Sequence, residues 1–359
     1  MTKKINGNWG NWGEFWVFLK ALEDGHFSLS DMSLNPIKGK RISIRKVYRE
    51  NLVFDVSDHL TISFLPPNGK KIEVKKADLK TNNDQLLKEF SSISKAPFES
   101  PKGYEILELL HQEKLSDTRD TRDIAFEIID PLTAQHHDAG FSIKSVAKGK
   151  PTLFNCSAQS RLVFEIEGFT GTLNEINSIQ GQSKLIDRIN KIAELGGKFS
   201  FVSCFGDIFQ KNLIKIDSQM PELLALAVLA NFQVKVKNKK LGDVLQSAQY
   251  NDLVQGIKIP LEIDDIVFKF KNFLMNAACG MTSAKLWNGN TDVDGGLLVV
   301  RKDWEVVCFH IFNFGQLQNY LFENVKFDTP NSRNNNIFGE LYEENGKMMF
   351  MLNFQFRWF

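Results

Sequence analysis

Apolar positions along the chain switch between a period near 3.6 and a period of two, and the switches outline its elements. From Glu14 to Leu22, Phe15, Phe18, Leu19 and Leu22 recur at helical spacing. A turn-rich lead, Gly7–Gly13, precedes this predicted helix, and Gly25 ends it. Arg41–Tyr48 alternates as a strand. Leu60–Leu65 and Lys71–Val74 read as a hairpin closed by Pro66-Pro67-Asn68-Gly69. Asn83–Ile93 and Gly103–Lys114 read as helices, and Ser116–Arg122 as an exposed loop.

That loop leads into the stretch around which the chain is organised, Asp123–Ser145. Ile124, Phe126 and Ile128 alternate with Asp123, Ala125 and Glu127, the signature of a half-buried strand. Asp130-Pro131 breaks it. After a turn carrying His136, His137 and Asp138, Gly140–Ser145 resumes the alternation. The simplest register sets Asp123 opposite Lys144 and Ala125 opposite Ser142. Asp138, six residues from Lys144 on the same strand, lies about 20 Å away and cannot serve it.

Beyond the hairpin, Arg161–Glu167 is a predicted strand carrying Glu165 and Glu167 on one face. Gln182–Leu195 is an amphipathic helix stopped by Gly196-Gly197, and Lys198–Phe205 a buried strand. Pro221–Ala230, Lys239–Gln249 and Ile263–Cys279 read as further helices. Leu297–Arg301 against Glu305–Ile311 is a hairpin opened by Asp294-Gly295-Gly296, with His310 a core histidine. Phe327–Asn336 is a polar loop, and Met348–Phe359 a final strand.

Composition adds bounds. The 359 residues suffice for one large domain or two, with 43% apolar and 24% charged residues as in ordinary globular proteins. A net charge of +1 argues neither for nor against a polyanionic partner. No apolar run is long enough to span a membrane, and the N-terminus lacks a signal-peptide segment, so a cytoplasmic location is expected. Cys156, Cys204, Cys279 and Cys308 lack metal-ligand spacing and read as buried thiols. P-loop, GxGxxG and Ser-His-Asp patterns do not occur.

The chemistry therefore rests on the hairpin. An acid and a lysine at the open end of a strand pair suit a metal-dependent phosphodiesterase centre, where the acid holds Mg²⁺ and lysine polarises the attacking water. An ordinary amphipathic hairpin carries such a pair as well. Glu14 either complements the helix dipole or points into the site. Lys148 and Lys150, just past Lys144, are a solvated turn or a phosphate contact.

Several stretches together narrow these alternatives. Gly7–Lys20, Gly140–Ser145 (GFSIKS), Thr152–Asn155 (TLFN), Asp294–Gly296, Thr329–Arg333 (TPNSR), Phe338-Gly339 and Leu352–Arg357 (LNFQFR) resemble the HpaII-type restriction endonucleases. The resemblance spans the chain, and GFSIKS is its most specific block. It implies a mixed α/β (α+β) fold of the PD-(D/E)xK nuclease type, with an αβββαβ core and additions for DNA recognition. It implies Mg²⁺-dependent cleavage of double-stranded DNA at a short palindromic site, CCGG for the enzyme that names the family. A two-fold homodimer and a cognate DNA methyltransferase are the implied partners. Lys144 matches the superfamily lysine and Asp123 the acid before it. Ser142 stands where the superfamily has an acid, which leaves Glu165, Glu167 or Glu14 to supply the second metal ligand. Asn11 likewise stands where the family is expected to carry an acid. Arg333 and Asn334 are expected to read bases, with Lys148, Lys150 and Asn155 on the backbone. The expected division is 1–115 flanking the core, 116–215 catalytic and 216–359 for recognition. A non-cleaving DNA-binding protein and a structure-specific repair nuclease of this fold are the alternatives.

Overall fold

The first helix begins five residues earlier than its periodicity predicts. It runs Trp9–Asp24, because Asn8 caps it: the Asn8 side chain accepts from the Gly10 and Asn11 amides, and Asn11 Oδ1 accepts from Asn8 N at 3.1 Å. Gly10 and Gly13 weigh against helix in propensity, yet burial of Trp12, Phe15 and Trp16 outweighs them. Gly25 ends the helix at φ 64°, the left-handed cap that glycine favours.

The computed structural model describes residues 5–358 except 68, 117–121, 130–133, 235–238, 258–260, 291–292 and 331–337. It is a mixed α+β chain that divides into two compact units, 1–151 with 291–317, and 152–290 with 318–359. These units cut the chain elsewhere than the three expected segments.

The first unit is built on a nine-stranded sheet. Its order is His26–Ser30, Val306–His310, Gly296–Val300, His136–Ser145, Ile124–Ile129, Pro36–Arg49, Leu52–Asp55, Thr61–Phe64 and Ile72–Lys75. Pro36–Arg49 is longer than predicted. Its first half pairs back with His26–Ser30 while its second half pairs with Ile124–Ile129. The helix Trp9–Asp24 packs on this sheet, and Phe15, Phe18, Phe54, Phe126 and Phe141 are fully buried around it. Lys76–Ser92 and Pro101–Leu109 are the helices predicted from Asn83 and Gly103, shifted toward the N-terminus.

The hairpin pairs two residues out of the simplest register. Ile124 faces Phe141, Ala125 faces Gly140, and Phe126 faces Ala139. The reason lies in its polar end, which joins the ladder as a strand instead of forming a turn. Glu127 pairs with Asp138 and Ile129 with His136. Lys46 reaches Glu127 at 2.6 Å and Tyr48 donates to Asp138 at 2.7 Å, so the polar positions are held across the sheet. A slip of two preserves each residue's face.

The αβββαβ order read along the sequence is not how this sheet is assembled. The helix and strand predicted at Gln182–Leu195 and Lys198–Phe205, which would follow the hairpin in such an order, form in the second unit as Lys184–Glu194 and Lys198–Cys204. The parallel neighbour of the strand carrying Lys144 is instead Gly296–Val300, reached after residues 152–290. Asp294-Gly295-Gly296 makes that return. Asp294 Oδ1 accepts from Gly140 N at 2.7 Å, and a Cβ on Gly295 would meet the Phe141 ring at 2.4 Å. The predicted hairpin with Val306–His310 forms, with His310 buried.

The second unit holds a four-stranded sheet, a three-stranded sheet and helices around Met220–Gln233, which is buried almost all round. Lys198–Cys204 is an edge strand with Val202 half exposed, not a buried one. Lys239–Gln249 resolves into Leu241–Leu245 and Ala248–Val254. The final strand is two, Lys347–Leu352 and Gln355–Trp358, in different sheets. Asn353 breaks it: buried, it accepts from Ser160 and donates to Ser157, which turns the chain between the sheets.

Candidate active site

Asp123 stands at the mouth of the central strand pair, with its amide donating to Phe141 O at 3.0 Å. Its carboxylate reaches across to the neighbouring strand. Oδ2 accepts from Ser142 Oγ at 3.1 Å and from Ile143 N at 2.5 Å. Ser142, buried in the sheet, thus orients the acid. Lys144 is not directly opposite Asp123, as the simplest register had it, but one place along on the same face. Diagonal neighbours of this kind lie about 7–8 Å apart.

Glu14 is the second acid here. It sits in the second turn of the helix, so complementing the dipole is not its role: the first turn holds no acid. From Trp12 to Leu19 every other residue is buried, and a lone carboxylate in such a stretch is costly without a purpose. Its pKa is raised from 4.5 to about 7, first by burial and then by the negative charge of Asp123. A hydrogen bond from Ser116 and the charges of Arg49 and Lys144 pull the other way. Asp123, Lys144 and Glu14 therefore share one field. Beside Asp123 a cavity of about 360 Å³ opens, lined by Tyr48, Arg49, Asn51, Arg122 and Asp123 among others.

Close packing brings Glu14 there. A Cβ on Gly13 would fall 2.8 Å from Ser145 Cβ, so only glycine lets the helix lie this near the Lys144 strand. Gly13→Ala is expected to destabilise the fold by about 1–3 kcal/mol through overpacking, although alanine favours a helix by about 1 kcal/mol. Urea unfolding checks this; a stabilised variant would show that the helix need not approach so closely.

The other expected site residues lie as follows. Glu165 belongs to the second unit, where it takes the Lys347 ammonium at 2.7 Å. Glu167, also in the second unit, is exposed at the end of the same strand. Lys148 and Lys150 are exposed in the loop after Lys144; Lys148 Nζ lies 5.5 Å from the Trp9 ring centre and 3.4 Å from Ile93 O. Asn155 is exposed in the second unit. Arg333 and Asn334 lie outside the described residues. Two residues beside Glu14 escaped the sequence reading as partners of one another. Asn11 Nδ2 donates to Ser116 Oγ at 2.7 Å across 105 positions, and no periodicity signals such a pair.

The donor set fits Mg²⁺. Two carboxylates, Asp123 and Glu14, feel each other's charge, and Mg²⁺ takes one or two of them and fills its remaining positions with water and substrate phosphate. Among the described residues, no group of three or more His, Cys, Asp or Glu could hold a metal, so a site of the all-protein kind is not built here. No described helix is long and apolar enough to cross a membrane.

Comparison with known proteins bears on this arrangement. The family model described as HpaII restriction endonuclease matches residues 8–358. The type II restriction enzyme HpaII of Haemophilus parainfluenzae is 30% identical over 99% of this chain and 99% of its own length. No solved structure matches.

Proposed function

The chain belongs to the HpaII restriction endonuclease family, and from that premise we propose that it is a type II site-specific deoxyribonuclease cutting double-stranded DNA at a short palindromic, CCGG-like site with Mg²⁺. The observation that carries the proposal is the shared field of Asp123, Glu14 and Lys144 at one end of the central hairpin. The scaffold supports a PD-(D/E)xK core. Three antiparallel strands, Pro36–Arg49, Ile124–Ile129 and His136–Ser145, carry the site, Gly296–Val300 lies parallel beside the last, and the helix with Glu14 covers them.

Asp123 and Glu14 would hold the ion, with Glu14 in the place left by the missing acid at Ser142. A bound Mg²⁺ offsets charge on the scissile phosphate and makes water more acidic. Lys144, on the same face, orients the attacking water in line with the phosphorus and stabilises negative charge gathering on the phosphate oxygens. The water oxygen bonds to phosphorus as the bond to the 3′-oxygen breaks. The proton that water loses passes to solvent, the 3′-oxygen takes one up from solvent as a hydroxyl, and the phosphate stays on the 5′ side. Ser142 fixes the Asp123 carboxylate through its hydrogen bond to Oδ2, which would hold it in place for the ion. Lys148, Lys150 and Asn155 would contact the backbone. A two-fold dimer would present one such site to each strand of a palindrome. A cognate methyltransferase would protect the host's own sites.

Digestion of a plasmid of known sequence with Mg²⁺, followed by run-off sequencing of the ends, tests the proposal. Discrete fragments with one shared terminal sequence support it. Intact DNA favours a non-cleaving binder, and cuts tied to DNA structure rather than sequence favour a repair nuclease.

Base reading is proposed for Arg333, with Asn334 beside it. A guanidinium matches N7 and O6 of guanine with two parallel hydrogen bonds. Arg333→Ala should lose about 1–3 kcal/mol on the cleaved site and little on random duplex. Competition binding in Ca²⁺ at two salt concentrations reads the difference; equal losses on both duplexes would remove Arg333 from recognition.

A further inference from the structure

Glu14 needs more than proximity to serve an ion. A carboxylate on a helix has three side-chain torsions, and a metal requires one orientation of its oxygens. Glu14 lies three residues on from Asn11, on the same helix face, and the Ser116 side chain that Asn11 holds is near enough to lower its proton affinity. A serine hydroxyl has one hydrogen and can turn it toward any acceptor in reach. Here Asn11 removes that freedom. Its amide nitrogen donates to Ser116 Oγ at 2.7 Å, occupying the oxygen as acceptor and leaving the hydroxyl hydrogen for Glu14.

The loop bearing Ser116 is itself pinned. Arg49, 3% exposed, donates to the carbonyls of Lys114 at 3.0 Å and Leu115 at 2.6 Å. The Glu50 carboxylate accepts from the amides of Glu113 and Lys114, the latter at 3.0 Å. Asn11 is anchored in turn through its Oδ1, which accepts from Asn8 N. Asn11 is thus held by Asn8 and Ser116 by Asn11, so the donor and acceptor directions are set along the contacts that lead to Glu14.

We propose that Asn11 and Ser116 are positioning residues that hold the Glu14 carboxylate in its metal-binding orientation. The inference rests on Glu14 being a ligand of the ion, as read above. Neither residue touches the substrate or the ion; both act through Glu14. Asparagine at position 11 is therefore functional as a donor, which a carboxylate there could not be.

Titration of the full-length protein with Mn²⁺, followed by electron paramagnetic resonance of the free ion, tests this without relying on cleavage. Ser116→Ala and Asn11→Ala should each weaken Mn²⁺ binding by about 3–10-fold, the worth of an ordinary hydrogen bond. Ser116→Thr, which keeps the hydroxyl, should restore it. In a Glu14→Gln background neither change should weaken binding further. In cleavage assays both variants should need more Mg²⁺ for half the maximal rate yet approach the parental rate when Mg²⁺ saturates. Circular dichroism confirms that each variant folds, and the threonine variant carries the test if alanine does not. If Glu14→Gln weakens Mn²⁺ binding while Ser116→Ala and Asn11→Ala leave it unchanged, the positioning role is wrong and the metal reading stands. If Glu14→Gln leaves it unchanged as well, both fall.

Discussion

Replacing Asp123 or Lys144 by alanine is expected to abolish DNA cleavage, with losses of about 10³-fold or more, while specific binding stays measurable in Ca²⁺. The two act on different parts of one step, the acid on the ion and the lysine on water and phosphate. Their structural costs differ. Asp123→Ala also removes the acceptor for Ser142 Oγ and Ile143 N, and an orphaned buried donor costs about 1–3 kcal/mol. Asp123→Asn keeps an acceptor for that amide and separates lost charge from lost support. Lys144→Ala removes a cation from the field of Glu14, whose carboxyl should then rise further. Single-turnover cleavage and gel-shift binding of the same preparations check both. Full activity in either alanine variant would show that the hairpin end is not the active site.

Glu14→Gln should likewise stop cleavage, and it should change how stability depends on pH. The folded protein holds this carboxyl at about 7, above its ordinary value of 4.5. The folded state therefore binds the proton more tightly than the unfolded chain. That contribution is fully present below 4.5 and is lost as pH rises through 7. Chemical unfolding at pH 4.5, 6 and 8 should show stability declining across this window in the parent and a flatter profile in Glu14→Gln. Added divalent ion should oppose the decline, because it stabilises the ionised pair. A parent and variant with parallel profiles would mean that burial and the charge of Asp123 do not raise the Glu14 carboxyl.

Several features of this protein were legible along the chain because local rules decide them. Period-two alternation marked Ile124–Ile129 and the strand with Lys144, and Gly25 and Gly196-Gly197 marked helix ends. The acid and lysine of the site were visible as a pair because a hairpin keeps its two strands together. Their register was not, since cross-strand contacts from Lys46 and Tyr48 extend the ladder into what reads as a polar turn. The start of the first helix was hidden behind two glycines, whose cost is repaid by tertiary packing of Trp12 and Trp16. The parallel partner of the Lys144 strand arrives after residues 152–290, and no local pattern foretells such a return. Glu14 looked like one helical acid among several. Only the approach of Gly13 to Ser145, and the burial of the residues around it, brought its carboxylate within the field of Asp123 and raised its proton affinity. Local periodicity is written in neighbouring residues, whereas the environment of a charge is made by whatever distant segments fold against it.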